Sequence, residues 1–227
     1  RLADEVGNVE DERGQARFFA GDLREKLTVA NLVSATIDAF DRVDILINAA
    51  RQVKESDPLD ASDDTVKVLM EQNMYTALRL SQSVAKRMIE QAEEDGNEDG
   101  TVGAIVNLSS IAARRTHPDL LAYSVSAAAL DQVTRSLAVA LAPKRIRVNG
   151  VAFGSLMSHS LKETLKGNRE LRAEIKECTP LGRIGSAREV ASAVQFLCSD
   201  GAAFVTGELI TVDGGRTLLD NVTSAAH

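Results

Sequence analysis

The sequence predicts an α/β protein: a doubly wound parallel sheet in three layers, α/β/α, built as a single domain. Three observations predict it. Short runs rich in β-branched residues alternate with longer stretches of helical periodicity along the chain. Those short runs are apolar at successive positions, as strands covered on both faces must be. A chain of 227 residues without internal repeats suits one domain, which buries roughly 70–75% of the surface its unfolded form exposes.

The elements follow in order. Strands are predicted at residues 16–20, 43–47, 104–108, 146–151 and 208–212. A first helix over residues 28–40 carries Val29, Leu32, Val33 and Ile37 on one stripe. Longer helices are predicted over residues 65–91 and 121–141, and a last one over 187–198. The chain opens within helical sequence, at residues 1–6, with neither a signal nor a transit pattern.

Composition narrows the function classes. Lys and Arg total 26 against 33 Asp and Glu, a net charge of −7, so no basic face for nucleic acid is expected. No run of ~18 apolar residues occurs, so no membrane span is expected. Cys178 and Cys198 lie far apart without a CxxC pattern, which predicts free thiols in a reducing, cytoplasmic setting. The acidic run 93–100 does not have EF-hand spacing and reads as a solvated loop, so no metal site is predicted. His117 and His159 are lone loop histidines and receive no role.

In a parallel sheet covered on both faces, ligands sit at the carboxyl ends of the strands. The polar residues there are Asp22, Asn48, Ser109, Ser110, the stretch 154–158, and Asp213. Singly, each has a plain structural reading: Asn48 as a turn residue, Ser109 or Ser110 as a helix cap, Tyr123 as a packing residue. Their order and spacing carry more. Asn48-Ala49-Ala50 ends one apolar strand, Ser110 ends another, and Tyr123 follows thirteen positions later near the start of a long helix. Gly154-Ser155-Leu156-Met157-Ser158 and Val212-Asp213-Gly214-Gly215 complete the series.

With these residues the chain resembles the short-chain dehydrogenase/reductase family, notably 3-oxoacyl-acyl-carrier-protein reductase-like members, from Arg1 to about Leu218. The resemblance implies a Rossmann-like fold, an NAD or NADP cofactor, and hydride transfer to or from a small carbonyl or secondary alcohol. It implies Ser110 and Tyr123 as the catalytic pair and Asn73 as organiser of a water-linked proton path. It places Asp22 and Leu23 beside the adenine, and Asn48, Ala49 and Ala50 near the adenosine. Tyr123, Gly154, Leu156 and Ser158 fall near the nicotinamide. Residues 158–180, with Leu161, Leu165 and Leu171, match the flap over the substrate. The family's homodimers or homotetramers pair helices corresponding to 65–91 and 121–141, where Ala128, Ala129, Val133, Leu137 and Ala140 form a second face.

The chain departs from the family pattern at several points. Ala127 stands one helical turn after Tyr123, where the family provides a lysine that favours the phenolate. Arg51 replaces the glycine of the asparagine turn, and Phe153 the proline before Gly154. Arg114 or Arg115, just after the serine strand, is a candidate replacement for the missing cation, but arginine is not equivalent to lysine and the preferred reading of both is as solvated loop arginines. No GxxxGxG occurs, so residues 1–227 read as the family domain without its first β-α-β segment, a leading stretch of roughly 40–45 residues. Two functions stay open: an NAD(P)-dependent oxidoreductase, or a catalytically impaired relative serving as an assembly or binding subunit.

Overall fold

The computed structural model describes residues 16–220, so the helical start expected at residues 1–6 lies outside them. The elements are α1 (Lys26–Phe40), β1 (Ile45–Asn48), α2 (Thr65–Leu69), a π-helical turn (Met70–Tyr75), α3 (Thr76–Glu94) and β2 (Gly103–Ser110). They continue with α4 (Leu121–Leu141), β3 (Ile146–Phe153), α5 (His159–Thr164), α6 (Arg169–Glu177), α7 (Ala187–Cys198) and β4 (Leu209–Val212).

The four strands are all parallel and lie in the order β1-β2-β3-β4. Alternation of side chains splits the core into two layers. Ile105, Ile146 and Val148 face α1, α3 and α4, where Val29, Leu80, Val84, Met88 and Ala138 meet them. Val106, Val151 and Phe153 face the other way, onto Val190, Val194 and Leu197 of α7. This is the predicted three-layer α/β/α arrangement.

Two expectations fail. Residues 16–20 form no strand: they are irregular, with Phe18 63% exposed, and a strand exists only where a neighbour completes its ladder. The single helix expected over 65–91 is interrupted by the π turn, because one extra residue enters the helical repeat at Met70–Tyr75. Apolar stripes run on through the interruption, from Leu69 to Met74, Ala77 and Leu80, so periodicity does not reveal it.

Buried polar side chains fix the register from strand to helix. Asn48 Nδ2 donates to Asn107 Oδ1 at 2.8 Å and to Ser81 Oγ at 3.0 Å. Asn107 Nδ2 in turn donates to Thr134 Oγ1 at 2.9 Å. β1, β2, α3 and α4 are thereby tied together near the carboxyl end of the sheet, where an unpaired amide would cost about 1–3 kcal/mol. At the opposite end, Gln91 pairs like a strand neighbour with both backbone groups of Val43, at 2.9 and 3.0 Å.

Candidate active site

The site is assembled where β2 and β3 end side by side, with Ser110 opposite Phe153 in the register. Ser110 is buried, and its Oγ accepts a hydrogen bond from Ala112 N at 3.1 Å as it caps the following 3₁₀ turn. A hydroxyl that accepts in this way still has its own proton to donate. The capping role and the catalytic one are therefore compatible.

Tyr123 lies in the first turn of α4, its ring packed among Leu69, Ala112 and Ala122. The ring is buried, 6% exposed, but its hydroxyl meets a polar partner: Arg51 Nη1 donates to it at 2.8 Å. The Arg51 guanidinium also lies over the Phe153 ring, 4.0 Å from the centroid, well inside cation–π range. Ala112 touches both catalytic candidates, bonding to Ser110 and packing on Tyr123.

Asn73 sits in the π turn, buried. Its Oδ1 accepts from Gln52 N at 2.8 Å, and its Nδ2 donates to Gln52 O at 2.9 Å and to Ser126 Oγ at 3.1 Å. Ser126 Oγ donates to Tyr123 O at 2.9 Å. Asn73 thus clamps the residue after Arg51 to the helix that carries Tyr123. Its amide is spent on these contacts, so the side chain acts as a brace.

The predicted cofactor residues divide. Asn48 spends its side-chain amide within the fold, as described above, while Ala49 and Ala50 stay exposed just beyond β1. Gly154 N donates to Val212 O at 3.2 Å. A Cβ on Gly154 would stand 2.8 Å from the tip of the Ile111 side chain and 3.1 Å from Asp213 Cβ, so the bare backbone passes close to both. Leu156 bridges in parallel to Gly185, and Ser158 Oγ caps α5 through Leu161 N at 3.2 Å. Asp22 is exposed and engaged by Arg24, whose hydrogen bonds hold the carboxyl down to about 2. Leu23 packs partly buried against the α1 side of the core.

Beside the β3 end, on the β4 side, lies a cavity of about 600 Å³. Ser155, Leu156 and Gly185 form one wall, and Thr211 to Gly215 form another. Asp213 braces the second wall, accepting from Gly215 N at 2.9 Å and Thr217 N at 2.7 Å. Arg114 lines the cavity and donates to Thr211 Oγ1 at 3.1 Å, and Arg115 donates to Thr217 O at 3.0 Å. Both guanidiniums therefore bond to the segment around β4 and not to Tyr123, so neither stands in for the lysine.

One turn beyond Ala127, Asp131 is buried, with Oδ1 lacking a hydrogen-bond partner. Burial pushes its carboxyl above the ordinary range, against the pull of Ser109, Arg114 and Arg135.

A family model described as enoyl-(acyl carrier protein) reductase, of the short-chain dehydrogenase type, matches residues 1–217. The chain belongs to the short-chain dehydrogenase/reductase family. It is 32% identical over 217 residues to 7alpha-hydroxysteroid dehydrogenase of Escherichia coli K12, covering 94% of this chain and 80% of that protein. It is 30% identical over 210 residues to L-rhamnose 1-dehydrogenase (NAD(P)(+)) of a Sphingomonas strain, covering 92% and 79%. A solved 7 alpha-hydroxysteroid dehydrogenase complexed with NADH and 7-oxo glycochenodeoxycholic acid superposes with a TM-score of 0.81 at 30% identity, covering 94% and 78%. In this member of the short-chain dehydrogenase/reductase family the hydroxyl of Tyr123 is met by Arg51. Sequence reasoning missed that arginine, although its coincidence with the departures at Phe153 and Ala127 was a signal.

Proposed function

We propose that the protein is an NAD(P)-dependent oxidoreductase that transfers a hydride between nicotinamide and a small carbonyl or secondary alcohol. The observation that carries this reading is the Arg51 guanidinium on the Tyr123 hydroxyl, set over the ring of Phe153, which stands opposite Ser110 in the strand register. Gly154, Ser155 and Leu156 fit the nicotinamide side, because glycine keeps the backbone close and the adjoining cavity is open to a ring. Exposed Ala49 and Ala50 leave backbone accessible for the adenosine side, with Asp22 and Leu23 the further candidates there.

When bound, the nicotinamide supplies the hydride at the substrate carbon. The Ser110 hydroxyl then donates to the carbonyl oxygen, and the Tyr123 hydroxyl gives that oxygen its proton as the C=O π bond opens. Both hydroxyls accept a hydrogen bond from within the protein, so each has its own proton left to donate. Asn73 holds the geometry in place.

The test uses the natural full-length chain with NADH and NADPH against ketones, acetoacetyl thioesters and 7-oxo bile acid conjugates. Turnover that Tyr123→Phe lowers about 10³-fold is the expected result. No turnover and no cofactor binding by calorimetry would favour the impaired assembly subunit instead.

A homodimer or homotetramer, in the cytoplasm, completes the reading. No described helix is long and apolar enough to cross a membrane. On α4, Leu121, Val125 and Val139 are 40%, 44% and 78% exposed, and Ala128 and Ala140 are exposed beside them, whereas Leu137 turns partly into the core. An isologous contact would cover that face. Light scattering at micromolar concentration should show at least a dimer; a monomer would refute it.

A further inference from the structure

Resting on the oxidoreductase reading, we propose that Arg51 takes over the work of the absent lysine, as the positioning cation for the Tyr123 hydroxyl. Four observations converge on it. Ala127, one turn after Tyr123, offers only a methyl group and is buried. Arg51 Nη1 reaches the Tyr123 hydroxyl at 2.8 Å from a different element, the segment after β1. The Phe153 ring, 4.0 Å from the guanidinium carbon, supports the guanidinium plane from the end of β3. The Asn73 clamp fixes the backbone of Gln52, the next residue.

The three departures from the family pattern are therefore one arrangement. Compared with lysine, arginine gives up a compact ammonium and gains a longer side chain ending in a planar fork that stays charged and stacks on aromatic faces. Where proline would leave only a small ring, Phe153 supplies the platform. The groups packed on the Tyr123 ring, from Leu69, Ala112 and Ala122 with Val66 and Leu120 beside them, are apolar. Among the described residues, Arg51 is the charged side chain bonded to the hydroxyl. Arg51 itself is exposed, so the pairing rests on the direct hydrogen bond to the buried tyrosine's hydroxyl and on the ring beneath the guanidinium.

In the reducing direction, the Tyr123 O–H bond breaks and its proton forms the new O–H bond of the alcohol. The reduced nicotinamide is oxidised as its hydride makes the C–H bond. The electron pair left on the phenol oxygen faces the guanidinium until a proton from water restores the hydroxyl. Arg51 neither gives nor takes a proton; it stabilises the charge that builds on Tyr123.

The experiment compares Arg51→Gln, Arg51→Lys and Arg51→Gln/Ala127→Lys in the natural full-length chain, with NADH or NADPH and the ketone panel. Arg51→Gln should lower kcat about 10²-fold while the KM values move less than about threefold. Arg51→Lys should retain about a tenth of the activity, and Ala127→Lys should restore the glutamine variant to within about tenfold. Unchanged or faster turnover by Arg51→Gln would overturn the proposal and make Arg51 a bystander or an obstruction. If the natural chain turns over no substrate, the oxidoreductase reading fails, and ultraviolet difference spectroscopy decides the pairing separately. Replacing Arg51 should perturb the tyrosine band, and the perturbation should vanish in a Tyr123→Phe background; superimposable spectra would overturn it.

Discussion

The inner and outer strands of the sheet do different work. β2 and β3 are buried along almost their whole length, and Ser110 and Phe153 at their ends are held by a complete ladder. Among the described residues β1 carries a partner on one side only, and its Ile45 and Ile47 are 47% and 46% exposed. Yet the segment after this open edge delivers Arg51 to the tyrosine. The difference teaches that the proposed Ser110 hydroxyl stands on the buried inner part of the sheet, while the charge proposed to serve Tyr123 comes from beyond its outer strand.

That contrast can be broken at several points. The largest effect belongs to the inner strands' own chemistry: Ser110→Ala, measured by steady-state kinetics, should lower kcat about 10²–10³-fold with little change in folding. Asn73→Ala should be smaller in rate, about tenfold, because it releases the Gln52 backbone without removing any reacting group. Denaturant melts should show about 2 kcal/mol lost, since Gln52 and Ser126 lose buried partners. In kcat, Asn73→Ala should add little to Arg51→Gln, because both act through one contact.

The smallest effect concerns Asp131. Burial raises its carboxyl in the folded chain, so the folded state holds the proton more tightly than the unfolded one. That penalty is absent below the ordinary aspartate value of 3.8 and develops as pH rises through the folded value. Asp131→Asn should therefore stabilise the protein by about 1 kcal/mol at pH 8, with the gain fading toward pH 4 in thermal melts. A gain that persists unchanged at pH 4 would mean packing, not charge, explains it.

Much of this was legible in the sequence, and the remainder has physical causes. The bounds of α4 and α7 follow from apolar periodicity, because their buried faces run unbroken. Ser110 and Tyr123 were legible from order and spacing. The π turn was not, since Asn73 and Met74 keep an apolar or buried position on either reading. Residues 16–20 have strand-like composition, but composition does not provide a ladder partner. Arg51, Phe153 and Tyr123 are far apart in sequence and meet only because parallel pairing brings three strand ends to one edge of the sheet. Arg51 and Phe153 each looked like a separate loosening of the family pattern around Tyr123. Together they form a contact.

The central claim is that Arg51 acts on the reaction through the Tyr123 hydroxyl. A double-mutant cycle of Arg51→Gln and Tyr123→Phe, with single-turnover rates at enzyme excess, tests it most directly. The predicted result is a loss of about 10²-fold from Arg51→Gln in the natural background and almost none in the Tyr123→Phe background. Equal losses in both backgrounds would contradict the account and show that the arginine acts on the reaction by a route that bypasses the tyrosine.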